Sequence, residues 1–178
     1  MSRKVASEIK VKPTDERYTP RPLINLITAA LGPIMYDPCT TPDNPVGARA
    51  FSALPENGRE QDWKRRARGG LTYVNSPFST GNLKLWAEKV VDEARGGLEI
   101  VQLTPVDPST DWYEVLQEQS NLMLGLKERQ KYGKPAGEVA FDAGAMQPAM
   151  LWYFGARARQ FARAMAPYAH ASLPGVFG

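Results

Sequence analysis

The chain alternates between stretches in which apolar side chains recur at every third or fourth position and short, nearly continuous apolar runs. The first periodic stretch covers residues 23–31 and ends at Gly32-Pro33, which predicts a helix with a defined C-terminus. The same spacing predicts three further helices, at residues 82–94 with Asn82 as the N-cap, at 109–116 with Ser109 as the N-cap, and at 157–165.

The short apolar runs are bounded by turn residues and predict strands. They cover residues 34–36, 71–74, 99–104, 122–126 and 149–154. Because strands alternate with helices, the sequence predicts an α/β fold of Rossmann-like class, with a mostly parallel, doubly wound sheet and helices on both faces.

Length and composition add limits to this picture. The 178 residues are predicted to form a single domain over residues 18–178, preceded by a flexible, charged arm over residues 1–17. Residues 1–12 lack an apolar core segment and no apolar run is long enough to span a bilayer, so we expect neither a signal peptide nor an anchor, and a cytoplasmic location. Residues 41–60 and 127–148 are rich in Gly and Pro and are predicted loops.

Charge and cysteine content exclude some chemistries. With Cys39 and His170 as the single residues of their types, a disulfide framework and a Cys/His zinc site are excluded within one chain. The net charge of +3 permits a polyanionic partner without requiring one. Two basic clusters, residues 64–68 and 157–163, fit either a solvated surface or a phosphate-binding surface.

Candidate chemistry follows two predicted strands. Asn75-Ser76-Pro77-Phe78 comes directly after the strand at 71–74, and Asp37-Pro38-Cys39-Thr40 comes after the strand at 34–36. Ligands of open α/β sheets bind at the carboxyl ends of the strands, so these two segments are predicted to share a site. Taken alone, each segment also fits an ordinary turn, because Asn, Asp, Ser and Pro are common turn residues.

The tetrapeptide resembles the (Asp/Asn)-Pro-Pro-(Tyr/Phe) motif of S-adenosylmethionine-dependent methyltransferases that act on amino groups, with Ser76 where proline is usual. The wider set resembles the phage-type DNA N6-adenine methyltransferases, the Dam-like family, over about residues 15–155. The matching segments, in order, are Tyr18-Thr19-Pro20, Asp37-Pro38-Cys39 with Asn44, Asp62-Trp63, Asn75-Ser76-Pro77-Phe78 and Thr104-Pro105.

This resemblance implies an enzyme that transfers a methyl group from S-adenosylmethionine to the N6 amine of adenine in double-stranded DNA, without a metal. Its fold would be the class I methyltransferase fold and its origin a phage or prophage. The catalytic residues would be Asn75, Ser76, Pro77 and Phe78. The Asn75 side-chain carbonyl and the Ser76 backbone carbonyl would accept hydrogen bonds from the amine, and Phe78 would stack on the flipped base.

The resemblance also implies a set of residues that bind the cofactor. Asp37 would bind the methionine amino group or its water shell, Asp62 the adenine N6, and Trp63 would line the adenine pocket. Thr19 and Pro20 would pack at the methionine end, with Asn44 near the loop. The complete predicted set is Tyr18, Thr19, Pro20, Asp37, Pro38, Cys39, Asn44, Asp62 and Trp63.

Other functions stay open at this point. The same loop serves methyltransferases that act on cytosine N4, on RNA or on protein glutamine, and a degenerate relative could be a non-catalytic DNA-binding module. Pro38-Cys39 resembles the nucleophile of cytosine-C5 methyltransferases, but it follows the first strand and lacks an acidic partner motif, so a buried cysteine is favoured. The sequence indicates neither a recognition sequence nor an oligomeric state.

Overall fold

The computed structural model describes residues 18–130 and 148–173, and within that part of the chain a seven-stranded sheet is flanked by five helices. The helices are α1 (Arg21–Leu31), α2 (Trp63–Ala67), α3 (Thr80–Arg95), α4 (Asp111–Gln119) and α5 (Ala158–Met165). The strands are β1 (Tyr36–Thr40), β2 (Ala50–Ala53), β3 (Thr72–Val74), β4 (Ile100–Pro105), β5 (Leu122–Leu126), β6 (Ala149–Phe154) and β7 (Ala169–Ser172). The predicted arm at 1–17 and most of the predicted loop at 127–148 lie outside the described residues.

The strands follow the order β2-β1-β3-β4-β6-β5-β7. The pairs β2-β1, β1-β3 and β3-β4 are parallel, whereas β4-β6, β6-β5 and β5-β7 are antiparallel. The predicted α/β class is therefore confirmed, but the sheet is mixed and not mostly parallel. The strand at 149–154 is a continuous apolar run, and a strand buried on both faces has this composition whichever way it runs.

The sheet separates two layers of core side chains. Successive residues of a strand point to opposite faces. In β4, Val101 and Leu103 accordingly belong to the layer that includes α1 and α5, whereas Ile100 belongs to the layer under α2, α3 and α4. The second layer contains Trp63, Trp86 and Trp152, none of which has exposed surface, and also Trp112, so all four tryptophans are core residues.

Element ends differ from the prediction at three places. Helix α4 has Thr110 and not Ser109 as its N-cap residue, and it continues to Gln119. Strand β1 continues through Thr40, so Asp37 and Cys39 lie in the strand and not in the loop beyond it. Helix α3 begins at Thr80, and Asn82 lies in its first turn, where its Nδ2 donates to Ser79 Oγ at 2.7 Å. Local capping preference placed the start two residues late because both Ser79 and Asn82 are good cap types.

Three elements were missed: β2, α2 and β7. The two strands are four residues long and lie at the two outer edges of the sheet, so each pairs with one neighbour and has little apolar pattern to reveal it. Helix α2 has five residues, too few for its apolar spacing to stand out.

Arg157 joins three elements at the amino edge of the parallel strands. Its Nε donates to Glu99 Oε1 at 3.0 Å, and its Nη2 donates to the Leu31 carbonyl at 2.8 Å at the end of α1. The Tyr153 hydroxyl also donates to Glu99 Oε1, at 2.5 Å, and accepts from the Arg157 backbone N–H at 2.9 Å. Glu99 precedes β4, so this cluster ties α1 and the β6–α5 turn to the sheet.

Replacing Arg157 by alanine removes its side-chain bonds to Glu99 and to the Leu31 carbonyl, and we expect it to lower the free energy of unfolding by about 1–2 kcal/mol, measured by urea denaturation. Arg159→Ala is the matched control, because Arg159 is an exposed arginine of the same helix. We expect the control to change stability by less than about 0.5 kcal/mol. Equal effects of the two variants would contradict this structural role of Arg157.

Candidate active site

A cleft opens where the carboxyl ends of β1, β2 and β3 meet. The segment before α1, the loop after β1, the end of β2 and the loop after β3 all line it. The predicted site residues that line this cleft are Tyr18, Thr19, Asp37, Pro38, Cys39, Asn75 and Pro77. The structure therefore brings together most of the segments that sequence reasoning had assigned to one site.

Asn75 is held by a chain of hydrogen bonds. Its Nδ2 donates to Thr19 Oγ1 at 3.1 Å, and Thr19 Oγ1 is 2.7 Å from the Tyr73 hydroxyl. Thr19 is 8% exposed and Tyr73 is fully buried, so this chain is shielded from water. Because the amide nitrogen points at Thr19, the amide oxygen of Asn75 points away from it. The orientation of the Asn75 side chain at the end of β3 is therefore fixed, and its Oδ1 is buried.

Asp37 is a buried carboxyl in the wall of the cleft, with 2% of its surface exposed. Burial raises the pKa of Asp37 from its ordinary value of 3.8 to about 7, and hydrogen bonds from the Cys39 backbone N–H and the Thr40 side chain offset only part of this increase. The bond from Cys39 N to Asp37 Oδ1 is 3.0 Å long. A buried carboxylate of this kind favours a cationic ligand, because the ligand's charge replaces the lost hydration.

The loop after β1 is tied to the segment before α1. The Tyr18 hydroxyl donates to both carboxylate oxygens of Asp43, at 2.8 and 2.9 Å, and Thr41 Oγ1 donates to Asp43 Oδ1 at 2.5 Å. The Thr41 and Tyr18 hydrogen bonds hold the pKa of Asp43 below its ordinary value. Arg21 Nη2 donates to the Pro45 carbonyl at 2.7 Å. These bonds fix one rim of the cleft.

Glu56 lines the cleft just after β2, and sequence reasoning missed it. It forms an ion pair with Arg66, whose Nη1 lies 3.2 Å from Glu56 Oε2. Arg66 also donates to Gln61 Oε1 at 2.9 Å. The signal that could have found Glu56 is its spacing: doubly wound folds carry a ribose-binding Asp or Glu about 20 residues after the first strand's loop, and Glu56 follows Asp37 at that distance.

Four predicted cofactor residues do not line the cleft: Pro20, and the three residues Asn44, Asp62 and Trp63, whose contacts are structural. Both amide atoms of Asn44 bond the Ala48 backbone, at 2.9 and 3.0 Å. Asp62 is the N-cap of α2 and accepts from the Arg65 backbone N–H at 2.9 Å. Trp63 is fully buried, and its Nε1 donates to the Gly58 carbonyl at 2.7 Å. These contacts stabilise the segments that form the walls of the cleft.

The remaining predicted residues lie beside the cleft. Pro20 is the N-cap residue of α1. Ser76 is 2% exposed, and Phe78 is half-buried against both core layers. Gly58 lies so close to β1 that a Cβ atom there would be 1.7 Å from the Pro38 carbonyl oxygen, so glycine is required for the short 3-10 helix Gly58–Glu60 to pack on the cleft.

One residue of each basic cluster lies at the amino edge of the parallel strands. Lys64 Nζ donates at 3.1 Å to the carbonyl of Gly96, at the far end of α3, whereas Arg66 of the same cluster pairs with Glu56 at the cleft. Arg157 belongs to the Glu99 cluster at that same edge. Two lysines lie at the cleft edge of the sheet: Lys84 in the second turn of α3 and Lys127 just after β5.

Two further findings concern membranes and metals. Within residues 18–130 and 148–173, no helix combines the length and apolar character needed to cross a bilayer. In the same described ranges, no three His, Cys, Asp or Glu side chains lie close enough together to hold a metal ion.

An α/β sheet with an Asn-Ser-Pro-Phe loop at a strand end, beside a cleft with two carboxyls, agrees with the class of amino-group methyltransferases. The family model for DNA N-6-adenine-methyltransferase (Dam) matches residues 6–152, and the chain belongs to this family. The resemblance drawn from the sequence is thereby confirmed. No curated protein and no solved structure matches the chain.

The raised pKa of Asp37 predicts a pH-dependent stability. Between about pH 4 and pH 7 the folded protein holds a proton on Asp37 that the unfolded chain releases, so this group's contribution falls as the pH rises through that window. Asn carries no charge at any pH. We therefore expect Asp37→Asn to be more stable than the wild type at pH 8, with a smaller difference at pH 5, measured by urea denaturation. An advantage that does not grow with pH would contradict the assignment.

Proposed function

We propose that the protein transfers a methyl group from S-adenosylmethionine to the exocyclic N6 amine of adenine in double-stranded DNA. The observation that carries this proposal is the position of Asn75. Its side-chain amide is fixed by Thr19 at the end of β3, next to the cleft that contains the buried carboxyl of Asp37. Membership of the adenine-N6 family supports the choice of base.

The amine needs activation because its lone pair is delocalised into the adenine ring. Two acceptors, Asn75 Oδ1 and the Ser76 backbone carbonyl, would bind its two hydrogens and favour a tetrahedral nitrogen with a free lone pair. The N6–CH3 bond would form as the S–CH3 bond of the sulfonium breaks, and the proton released from N6 would pass to water. S-adenosylhomocysteine is the leaving group.

The residues of the cleft would hold S-adenosylmethionine, whose sulfonium would supply the electrophilic methyl group. Asp37 would bind the methionine ammonium, and Tyr18 and Thr19 line the same cleft. Glu56 would accept hydrogen bonds from the ribose hydroxyls. Asp62 and Trp63 would then act without touching the cofactor. Asp62 caps α2, and Trp63 donates to the backbone carbonyl of Gly58. The parallel half of the sheet would be the Rossmann-like part of a class I methyltransferase.

DNA would approach the same edge of the sheet. Phe78 and Pro77 follow Asn75 directly, so an adenine flipped out of the duplex could stack on the aromatic ring, a contact worth about 1–3 kcal/mol. Lys84 and Lys127 carry positive charge at this edge and could contact phosphates. Lys84 has 55% of its side chain exposed and lies 3.6 Å from Asp111 Oδ2, a pair that DNA phosphates could compete with.

The decisive experiment incubates the purified protein with methyl-labelled S-adenosylmethionine and unmethylated duplex DNA, then identifies the labelled product. We expect N6-methyladenine. Label found only in N4-methylcytosine, in RNA or in protein glutamine would replace the proposed substrate by that one. A protein that transfers no label and binds no S-adenosylhomocysteine in calorimetry would instead be a DNA-binding relative without activity.

Asn75→Ala is expected to lower the transfer rate by roughly 100-fold or more, because it removes an acceptor that acts on the reacting nitrogen. Affinity for S-adenosylhomocysteine should change by less than about threefold, since Asn75 is assigned to the amine and not to the cofactor. Asn75→Asp retains the acceptor oxygen and should retain more activity than Asn75→Ala. Full activity of Asn75→Ala, or a large loss of cofactor affinity with activity retained, would contradict this role.

Glu56→Gln tests the ribose assignment. Replacing a carboxylate acceptor by a neutral amide should weaken S-adenosylhomocysteine binding about 10-fold in calorimetry. Binding of methionine alone, which has no ribose, should be unchanged. Glu60→Gln is the control, because Glu60 is an exposed carboxylate four residues further along the chain. Equal losses for the two variants would remove the ribose role from Glu56.

A further inference from the structure

Gln102 is a buried amide in the middle of the sheet. It lies in β4, level with Val74 of β3 on one side and Trp152 of β6 on the other. Val74 and Trp152 both belong to the core layer under α3 and α4, and residues level with each other on neighbouring strands share a face. The side chain of Gln102 therefore points into this layer. It has no exposed surface, and neither its Oε1 nor its Nε2 has a hydrogen-bond partner within the protein.

Burying an amide without hydrogen-bond partners lowers the free energy of unfolding. An amide buried without partners loses about 1–3 kcal/mol relative to one that is hydrogen-bonded, and leucine would fill much the same volume without that cost. Buried polar groups of proteins are nearly always satisfied, by protein atoms or by ordered internal water. The orphaned amide of Gln102 thus points to bound water in this layer.

Two further orphaned polar atoms lie in the same region, on the side of the catalytic loop. Ser76 Oγ and Trp86 Nε1 are both buried and have no hydrogen-bond partner within the protein. Ser76 comes two residues after Val74, and its extended backbone is favoured because Pro77 follows it, so it lies on the same face as Val74. Trp86 lines the cleft together with Asn75 and Pro77.

Ser76 lies two residues beyond the end of β3, and an extended backbone over these residues would bring it within reach of Gln102. A rise of about 3.3 Å per residue and a strand spacing of about 4.8 Å put the two Cα atoms roughly 8 Å apart. A glutamine side chain plus one water molecule spans that separation. Thr104, the next residue of β4 on this face, is already satisfied, because its Oγ1 accepts from Trp152 Nε1 at 2.8 Å.

We propose that Gln102, Trp86 and Ser76 hold internal water beneath the loop that follows β3, and that Gln102 is a positioning residue for this loop. The inference rests on the proposed function, in which the Ser76 backbone carbonyl is one of the two acceptors of the reacting amine. Proline at this position would fix its own φ angle through its ring, whereas serine has no such restraint. A hydroxyl anchored through water to Gln102 and Trp86 supplies the restraint instead.

The kinetic test is a double-mutant cycle with Ser76→Ala and Gln102→Leu. We expect each variant to lower kcat about 10-fold, with the affinity for S-adenosylhomocysteine and the KM for duplex DNA within twofold of the wild type. The double variant should be no slower than either single variant, because both remove the same anchor. Losses that multiply, or an unchanged kcat for Gln102→Leu, would overturn the proposal.

Thr72→Val is the matched control. Thr72 Oγ1 is also fully buried on the same face without a partner, but Thr72 lies at the start of β3, level with Ile100 and away from the loop. We expect its kcat to equal that of the wild type. A loss equal to that of Gln102→Leu would show a general effect on the core and overturn the positioning role. Gln102→Met replaces Gln102→Leu in the cycle if the latter does not fold.

A crystal structure of the wild-type protein at high resolution tests the water itself, independently of activity. We expect ordered water within hydrogen-bond distance of the Gln102 amide and Ser76 Oγ. A dry site overturns the proposal. A wild-type protein that methylates no substrate would refute the proposed function and, with it, the positioning role, whereas the density beneath the loop would still decide whether the water site exists.

Discussion

The hydrogen bonds that Thr19 makes to Tyr73 and Asn75 are the contact on which the site depends. Thr19 comes before α1 and the other two residues belong to β3 and its loop, more than 50 residues later in the chain. The contacts therefore join segments that are distant in the chain and adjacent only in the folded protein. They also fix the start of α1, from which Tyr18 reaches the loop after β1. The buried Thr19 hydroxyl thus connects the candidate catalytic amide of Asn75 to the segment that forms the rim of the candidate cofactor cleft.

The two halves of the sheet have different tasks. The parallel strands β2, β1 and β3 end at the cleft, which is lined by Asp37 within β1 and by Glu56 and Asn75 beyond the ends of β2 and β3. The antiparallel strands β6, β5 and β7 supply no residue to the cleft lining, and they complete both core layers. Gln102 lies at the junction, since β4 is parallel to β3 and antiparallel to β6. This division explains why a mixed sheet is compatible with a site of the kind that parallel strands build.

Local pattern predicted the parts of the site that belong to strong elements. Asn75 and Asp37 follow or lie in apolar runs, so their place at the sheet edge could be read from the sequence. Glu56 was missed because it follows a four-residue edge strand inside a stretch without periodicity. Asp62 was assigned to the cofactor, but an aspartate before a short helix is also a good N-cap, and only the tertiary structure shows that it serves α2. The direction of β6 depended on pairing, which composition does not encode.

The placement of Asp37 shows how the site and the stability of the fold are opposed. A carboxyl with 2% exposure and two internal hydrogen bonds is costly to ionise, and the pKa of about 7 expresses that cost. A neutral side chain would suit the core better. The charge becomes favourable only when a cation enters the cleft, because the attraction is then exerted where little water screens it. An ammonium group would bind there to a carboxyl that folding has already removed from water. The cost of this desolvation lowers the stability of the free protein, so it is not subtracted again from the binding free energy.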